Sequence, residues 1–80
     1  MASKAADLLG FIVRGLVHRQ EAIEIEEILD DHGRVLKLRV DEADLGRVIG
    51  KEGRTAAAIR ALLAVATAGD DKTAKLDIVE

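Results

Sequence analysis

Two glycines separated by two charged residues form the stretch of this chain that is best suited to contact an anion. The string is Gly50-Lys51-Glu52-Gly53, and Arg54 follows it at the start of a long segment with helical periodicity. Glycine has no Cβ, so another backbone or a phosphate can approach the main chain closely. A helix that begins after the second glycine adds outward N–H groups and the positive end of its dipole. The spacing predicts a small anion cradle.

The glycine spacing argues against a nucleotide-hydrolysing or dinucleotide-binding loop. Gly46, Gly50 and Gly53 fit neither Gly-x-Gly-x-x-Gly nor Gly-x-x-x-x-Gly-Lys-Ser/Thr. The stretch also lies between two helical patterns, whereas both of those loops join a strand to a helix. A Gly-x-x-Gly string taken alone also fits a helix C-cap followed by a tight turn.

Residues that could catalyse a reaction or hold a metal ion are scarce. Cysteine is absent, no Gly-x-Ser-x-Gly string occurs, and His18 and His32 stand alone in the sequence. The carboxylates between positions 21 and 31 lack the spacing of a calcium loop, and alternation directs several of them to a solvated sheet face. We therefore expect no enzyme activity, no metal site and no cofactor.

Length and charge distribution indicate one small domain, residues 1–80, with a basic centre. Residues 34–60 carry seven basic and four acidic side chains, whereas residues 1–33 carry three basic and seven acidic ones. No apolar run approaches the roughly 18–20 residues that span a bilayer, and the N-terminus lacks the apolar core of a signal peptide. These features predict a cytoplasmic protein without membrane insertion.

Hydrophobic periodicity predicts an α+β fold with the order α-β-β-α-α-β. The helical segments are residues 4–18, 42–49 and 54–68, and the alternating segments are residues 22–26, 34–40 and 75–79. A hairpin around Asp30-Asp31-His32-Gly33 joins the first two strands. The crossover through two helices favours a parallel pairing of the second and third strands, so we expect a three-stranded mixed sheet covered on one face by three helices.

Several local features accompany this fold. The alternation changes phase at Glu26-Glu27, which predicts a β-bulge or an early strand end. Ser3 and Asp41 are expected helix N-caps, with Asp44 as the reciprocal partner in a capping box. The apolar stripe of the last helix is predicted to consist of Ala58, Ile59, Leu62, Leu63 and Ala66.

The KH-domain family has the core motif V-I-G-x-x-G-x-x-x-x-x-I, and the chain resembles it throughout, from Val48-Ile49-Gly50 to Ile59. The element order is similar to the bacterial type II arrangement of that family. Chain length and the N-terminal amphipathic helix resemble the small stand-alone bacterial KH proteins of the KhpA type. The resemblance covers essentially the entire chain, with residues 34–79 as the motif core.

The resemblance implies single-stranded RNA binding, as an RNA chaperone or post-transcriptional regulator of modest sequence specificity. In KH domains the Gly-x-x-Gly loop clamps the backbone of about four nucleotides. Carried over to this chain, the RNA-binding residues are Arg47, Ile49, Gly50, Lys51, Glu52, Gly53, Arg54 and Ile59. Leu38 and Leu45 would join Ile49 and Ile59 in an apolar groove for the bases. Other RNA-binding modules stack bases on aromatic platforms, and Phe11, the single aromatic residue of the chain, cannot form one alone. The composition therefore fits an aliphatic groove better.

Two other functions are compatible with the same residues. In the first, the chain is a protein–protein dimerisation module in which RNA binding is secondary. KhpA-like proteins are associated with homodimers and with a second KH-containing partner, so the resemblance implies either. In the second, residues 54–68 are the recognition helix of a helix-turn-helix that reads duplex DNA. That segment carries Arg54, Thr55 and Arg60 but is otherwise rich in alanine, which suits base-edge reading poorly.

Overall fold

A computed structural model describes residues 3–31, 33–69 and 73–80, so His32 and most of the loop before the last strand lie outside the described residues. The helices are α1 (Lys4–Arg14), α2 (Leu45–Ile49) and α3 (Arg54–Ala66), and the strands are β1 (Glu24–Asp30), β2 (Gly33–Arg39) and β3 (Ala74–Ile78). Three short 3₁₀ turns lie at Gln20–Ala22, Glu42–Asp44 and Lys51–Gly53. The predicted order α-β-β-α-α-β is confirmed.

The strands form one mixed sheet in the order β1-β2-β3. β1 pairs with β2 in antiparallel fashion, and β2 pairs with β3 in parallel. The parallel pair is connected through α2 and α3, as a crossover requires. Leu36 and Leu38 of the central strand β2 are fully buried because helices cover that face of the sheet. The three-stranded mixed sheet predicted from the sequence is therefore present.

The hydrophobic core lies between this inner sheet face and the helices. Its buried members are Ala5, Leu9, Val13, Val17, Leu36, Leu38, Val48, Ile59, Leu63, Ala74 and Leu76. They come from all three helices, from β2 and from β3, so the core links every element around the α2–α3 turn. A core of this size gives an 80-residue domain only a modest margin of stability.

The phase change at Glu26-Glu27 is not a bulge, so that prediction is wrong. Pairing of β1 with β2 runs without interruption from Glu24 to Asp30. Glu27 occupies an inner-face position opposite Leu36, and its Oε2 lies 3.6 Å from Nη1 of Arg34 on β2. The strand continues because a partly buried ion pair takes the place that alternation would give to an apolar side chain.

The first helix is shorter than its apolar periodicity predicts. The Ser3 hydroxyl accepts a hydrogen bond from the Ala6 N–H at 3.0 Å, which confirms the N-cap. The helix ends at Arg14 instead of continuing to residue 18, because Gly15 caps it. Val17 still reaches the core from the turn that follows.

The last helix buries a narrower stripe than the sequence predicts. Ala56, Ile59 and Leu63 are buried, whereas Leu62 is 51% exposed and Val65 is 76% exposed. The prediction that Ala58 and Leu62 belong to the inward stripe is wrong, because only one flank of α3 packs against other elements. The opposite flank is apolar and lies at the surface.

Candidate nucleic-acid interface

The turn between α2 and α3 contains three left-handed residues within four positions. Gly50 has φ 77° and ψ 169°, Glu52 has φ 58° and ψ 24°, and Gly53 has φ 75° and ψ 12°. Positive φ is strained for residues with a Cβ, and the conformation of Gly50 is essentially restricted to glycine. These angles reverse the chain in one 3₁₀ turn and start α3 at Arg54.

Gly50 is required by space as well as by conformation. A Cβ at this position would lie 2.8 Å from the backbone nitrogen of Thr55 and would overlap the Thr55 side chain. A backbone atom in the first turn of α3 cannot move aside without moving the helix. The contact therefore fixes how closely α2 and α3 approach one another.

Gly53 is the opposite case. Nothing lies within 4 Å of the position that its Cβ would occupy, so glycine serves the left-handed backbone there and leaves open space outside it. Gly53 is the N-cap of α3, and no side chain caps the helix. The N-terminal end of α3 is consequently accessible to an external anion, which helix N-termini attract.

The sequence-predicted cations of the motif lie around this open end. The Lys51 side chain is exposed, and the Arg54 side chain is 78% exposed with its Nη2 3.4 Å from Oε2 of Glu52. Arg47 on α2 is half exposed, and its Nε lies 3.3 Å from Oδ1 of Asp44. The structure therefore places Arg47, Lys51 and Arg54 on α2, on the glycine turn and at the start of α3, within eight consecutive residues.

The apolar residues assigned to the groove divide into two groups. Ile49 and Leu45 are half-buried at the surface of α2. Ile59 is 2% exposed and Leu38 is fully buried, and both belong to the core. Ile59 projects from the flank of α3 that packs inward. The predicted groove role of Ile59 and Leu38 therefore falls on two core residues, and it stays a prediction.

A surface groove adjoins Leu45. Its volume is about 470 Å³, and it is lined by Arg39, Val40, Glu42, Leu45, Val79 and Glu80. Leu45 lies one helical turn before Ile49, which precedes the glycine turn. Val40 and Val79 were not among the sequence-predicted residues. The sequence indicates Val40 and Val79 as groove residues only through their positions just beyond the ends of β2 and β3.

The role that the sequence predicts for Asp44 is wrong. Asp41 does cap its turn, since its Oδ1 accepts from the Ala43 N–H at 2.9 Å. The Asp44 carboxylate does not reciprocate. It is 2% exposed and accepts from the backbone N–H groups of His18 at 3.2 Å and Arg19 at 2.9 Å. These partners lie 25 and 26 positions earlier in the chain, so no local pattern identifies them.

The contacts of Asp44 stabilise its ionised form. The hydrogen bond from the Arg19 N–H contributes most to holding the pKa of Asp44 below its ordinary value, and burial opposes it. The His18 N–H and the charges of His18 and Arg47 lower the pKa further. Asp44 is thus an anion at neutral pH that ties the segment after α1 to the start of α2 and orients Arg47.

Metal-ligand clusters and membrane-spanning helices are both absent from the described parts of the chain. Within residues 3–31, 33–69 and 73–80, no group of three histidine or acidic side chains is placed to hold a metal ion. No helix in those ranges is long and apolar enough to cross a membrane.

Comparison with known proteins identifies the family. The family model for the KhpA/KhpB KH domain matches residues 6–78. The chain belongs to this family. It is 39% identical over 74 residues to RNA-binding protein KhpA of Chlamydia caviae, which covers 92% of this chain and 95% of that protein. Identity is 35% over 74 residues to RNA-binding protein KhpA of Borreliella burgdorferi, covering 92% of this chain and 90% of that protein.

A third relative has a similar identity and coverage. RNA-binding protein KhpA of Leifsonia xyli is 37% identical over 75 residues, which cover 94% of this chain and 96% of that protein. No solved structure matches the chain significantly. The family match confirms the resemblance drawn from Val48 to Ile59, and the family is not one of enzymes.

The two glycines of the turn should differ in their tolerance of a side chain. Gly53→Ala should lower the free energy of unfolding by about 1–2 kcal/mol, the cost of a left-handed alanine. Gly50→Ala should cost about 1–3 kcal/mol more, because overlap with Thr55 is added. Urea unfolding followed by circular dichroism measures both values. Equal losses for the two variants would contradict the Gly50–Thr55 contact.

Asp44 should make stability depend on pH. Because its folded pKa is depressed, its contribution is complete above the unfolded value near pH 4 and is lost as the pH falls through the lower folded value. Asp44→Asn should lower the thermal unfolding midpoint by several degrees at pH 7, with the difference from the parent narrowing at pH 3. Asp77→Asn, an exposed carboxylate on β3, is the control. A variant-to-parent difference that does not change with pH contradicts the assignment.

Proposed function

We propose that the chain is a single KH domain that binds single-stranded RNA in the cytoplasm, with the Gly50–Gly53 turn as a clamp on the sugar–phosphate backbone. The observation that carries this proposal is the uncapped N-terminus of α3 at Gly53, with open space outside it and exposed Lys51 and Arg54 beside it. Relatives over most of the chain are named RNA-binding proteins, which supports it.

In this mechanism a phosphate approaches the main chain at Gly53, where no Cβ intervenes. The N-terminal N–H groups of α3 and the charges of Lys51 and Arg54 stabilise it. The adjoining bases then reach the groove beside Leu45 and Val40. The aliphatic side chains of that groove contact the bases without aromatic stacking.

Contacts of this kind read sequence weakly. Phosphate contacts position a nucleic acid but carry no base information. Three of the groove residues, Val40, Leu45 and Val79, have side chains that cannot hydrogen-bond to a base edge. Modest specificity suits a chaperone or post-transcriptional regulator that acts on many RNAs. The proposed role of the chain is therefore general RNA binding.

A charge reversal in the turn tests the clamp. The double variant Lys51→Asp plus Glu52→Asp keeps both glycines and should lose affinity for a short unstructured RNA by at least about tenfold, as charged phosphate contacts are lost. The log–log salt dependence of the parent should have a slope of about −0.7 per contacted phosphate. Fluorescence anisotropy at two salt concentrations measures both.

The matched control is Lys75→Asp, which changes the net charge equally on the other side of the sheet. It should bind RNA like the parent, and circular dichroism should show both variants folded. Unchanged affinity in the double variant contradicts the clamp. Tighter binding of duplex DNA than of single strands by the parent would instead favour a helix-turn-helix function.

A second candidate function, self-association, is favoured by the outer flank of α3. Its exposed apolar residues recur at helical spacing, and they are Ala58, Ala61, Leu62 and Val65. This flank lies opposite the buried stripe of Ile59 and Leu63, so it is presented outward. An exposed apolar helix face can pair with the same face of a second copy about a two-fold axis. We propose a homodimer through this face, compatible with RNA binding at the α2–α3 turn.

Sedimentation equilibrium tests this dimer. The parent should sediment as a dimer, and the double variant Leu62→Lys plus Val65→Lys should sediment as a folded monomer, since both positions are exposed. Ala64→Lys, on the same helix but away from the stripe, should remain dimeric. A monomeric parent, or a dimeric double variant, rules out this interface.

A further inference from the structure

Glu52 is the acidic residue of the turn, and its backbone conformation does not explain its presence. It is the non-glycine residue with positive φ in the described chain, at φ 58°. Glycine, asparagine and aspartate tolerate that region more readily than glutamate does. A strained residue at a candidate site points to a role for its side chain.

The Glu52 side chain contacts one of the candidate phosphate ligands. Its Oε2 lies 3.4 Å from Nη2 of Arg54, with both side chains largely exposed. Carboxylates and phosphates bind guanidinium groups through the same charge-assisted hydrogen bonds. The carboxylate therefore engages one of the Arg54 nitrogens through which a phosphate would also bind.

The other cations of the turn provide a comparison. Arg47 is paired with the buried Asp44, which already holds it in place. Lys51, in contrast, has no ion pair with any residue in the described parts of the chain. Lys51 can thus bind a phosphate without rearrangement. Arg54 must first break its ion pair with the exposed Glu52 carboxylate.

We propose that Glu52 is an internal competitor of the RNA phosphate for Arg54 and so sets the affinity and the release rate of the clamp. The proposal rests on the proposed RNA-binding function. When RNA binds, the Arg54 guanidinium exchanges the Glu52 carboxylate for a phosphate, and the loss of the Glu52–Arg54 ion pair opposes binding. The turn therefore binds RNA less tightly than its three cations allow, which suits a protein that must exchange between many RNAs.

A double-mutant cycle isolates this competition. Glu52→Gln removes the charge but keeps the side-chain length and the left-handed backbone. It should tighten binding to an unstructured RNA of roughly eight nucleotides by about two- to fivefold, the range set by an exposed ion pair. Most of this gain should appear as slower dissociation in stopped-flow measurements.

In the Arg54→Gln background the same substitution should change the dissociation constant much less, because the contested partner is gone. Glu26→Gln, which removes an exposed acid on β1 outside the groove, controls for net charge and should have little effect. An equal gain in the Arg54→Gln background, an equal gain from Glu26→Gln, or weaker binding by Glu52→Gln overturns the proposal.

The outcomes also separate this proposal from the proposed function. If the parent does not bind RNA, the clamp itself is wrong and the competition is wrong with it. If the parent binds RNA and the Lys51→Asp plus Glu52→Asp variant does not, but the cycle shows no coupling between Glu52 and Arg54, only the competition is overturned.

Discussion

The first turn of α3 lies so close to Gly50 that no side chain fits between them, and the geometry of the candidate interface depends on this contact. The φ of 77° and ψ of 169° at Gly50 end α2 there, and α3 begins within one turn of it. The left-handed backbone at Glu52 and Gly53 completes the reversal. The result is a helix N-terminus that meets solvent instead of a capping side chain.

Asp44 holds the same unit from the other side. Its carboxylate binds two backbone N–H groups from the segment after α1, so α2 is anchored to a part of the chain that is remote in sequence. The same carboxylate orients Arg47 through an ion pair. An anchor of this kind limits the movement of α2 relative to the core, and it leaves the turn as the exposed, charged edge of a packed domain. Placement of a binding loop on rigid elements is a common way to preorganise a site.

The electrostatics of the site come from local pairs more than from net charge. The chain as a whole carries a formal charge of −3, yet its central third is basic. Within that third, Arg47 and Arg54 each face a carboxylate of the same chain, at 3.3 and 3.4 Å. A count of basic residues therefore overstates the charge that an approaching phosphate meets. The exposed pair contributes little to stability, whereas the buried Asp44 also satisfies backbone donors.

Sequence periodicity predicted the element order, the mixed sheet and the Gly-x-x-Gly turn, because strand alternation, helical spacing and glycine are local signals. It failed where an inner position holds a charge, as at Glu27, and where a helix has two apolar flanks, as at Leu62. The sequence by itself determined which residues form the turn and that its backbone needs glycine. Only the tertiary structure decided that Ile59 belongs to the core and that Asp44 anchors α2, because burial and long-range hydrogen bonds depend on which elements pack together.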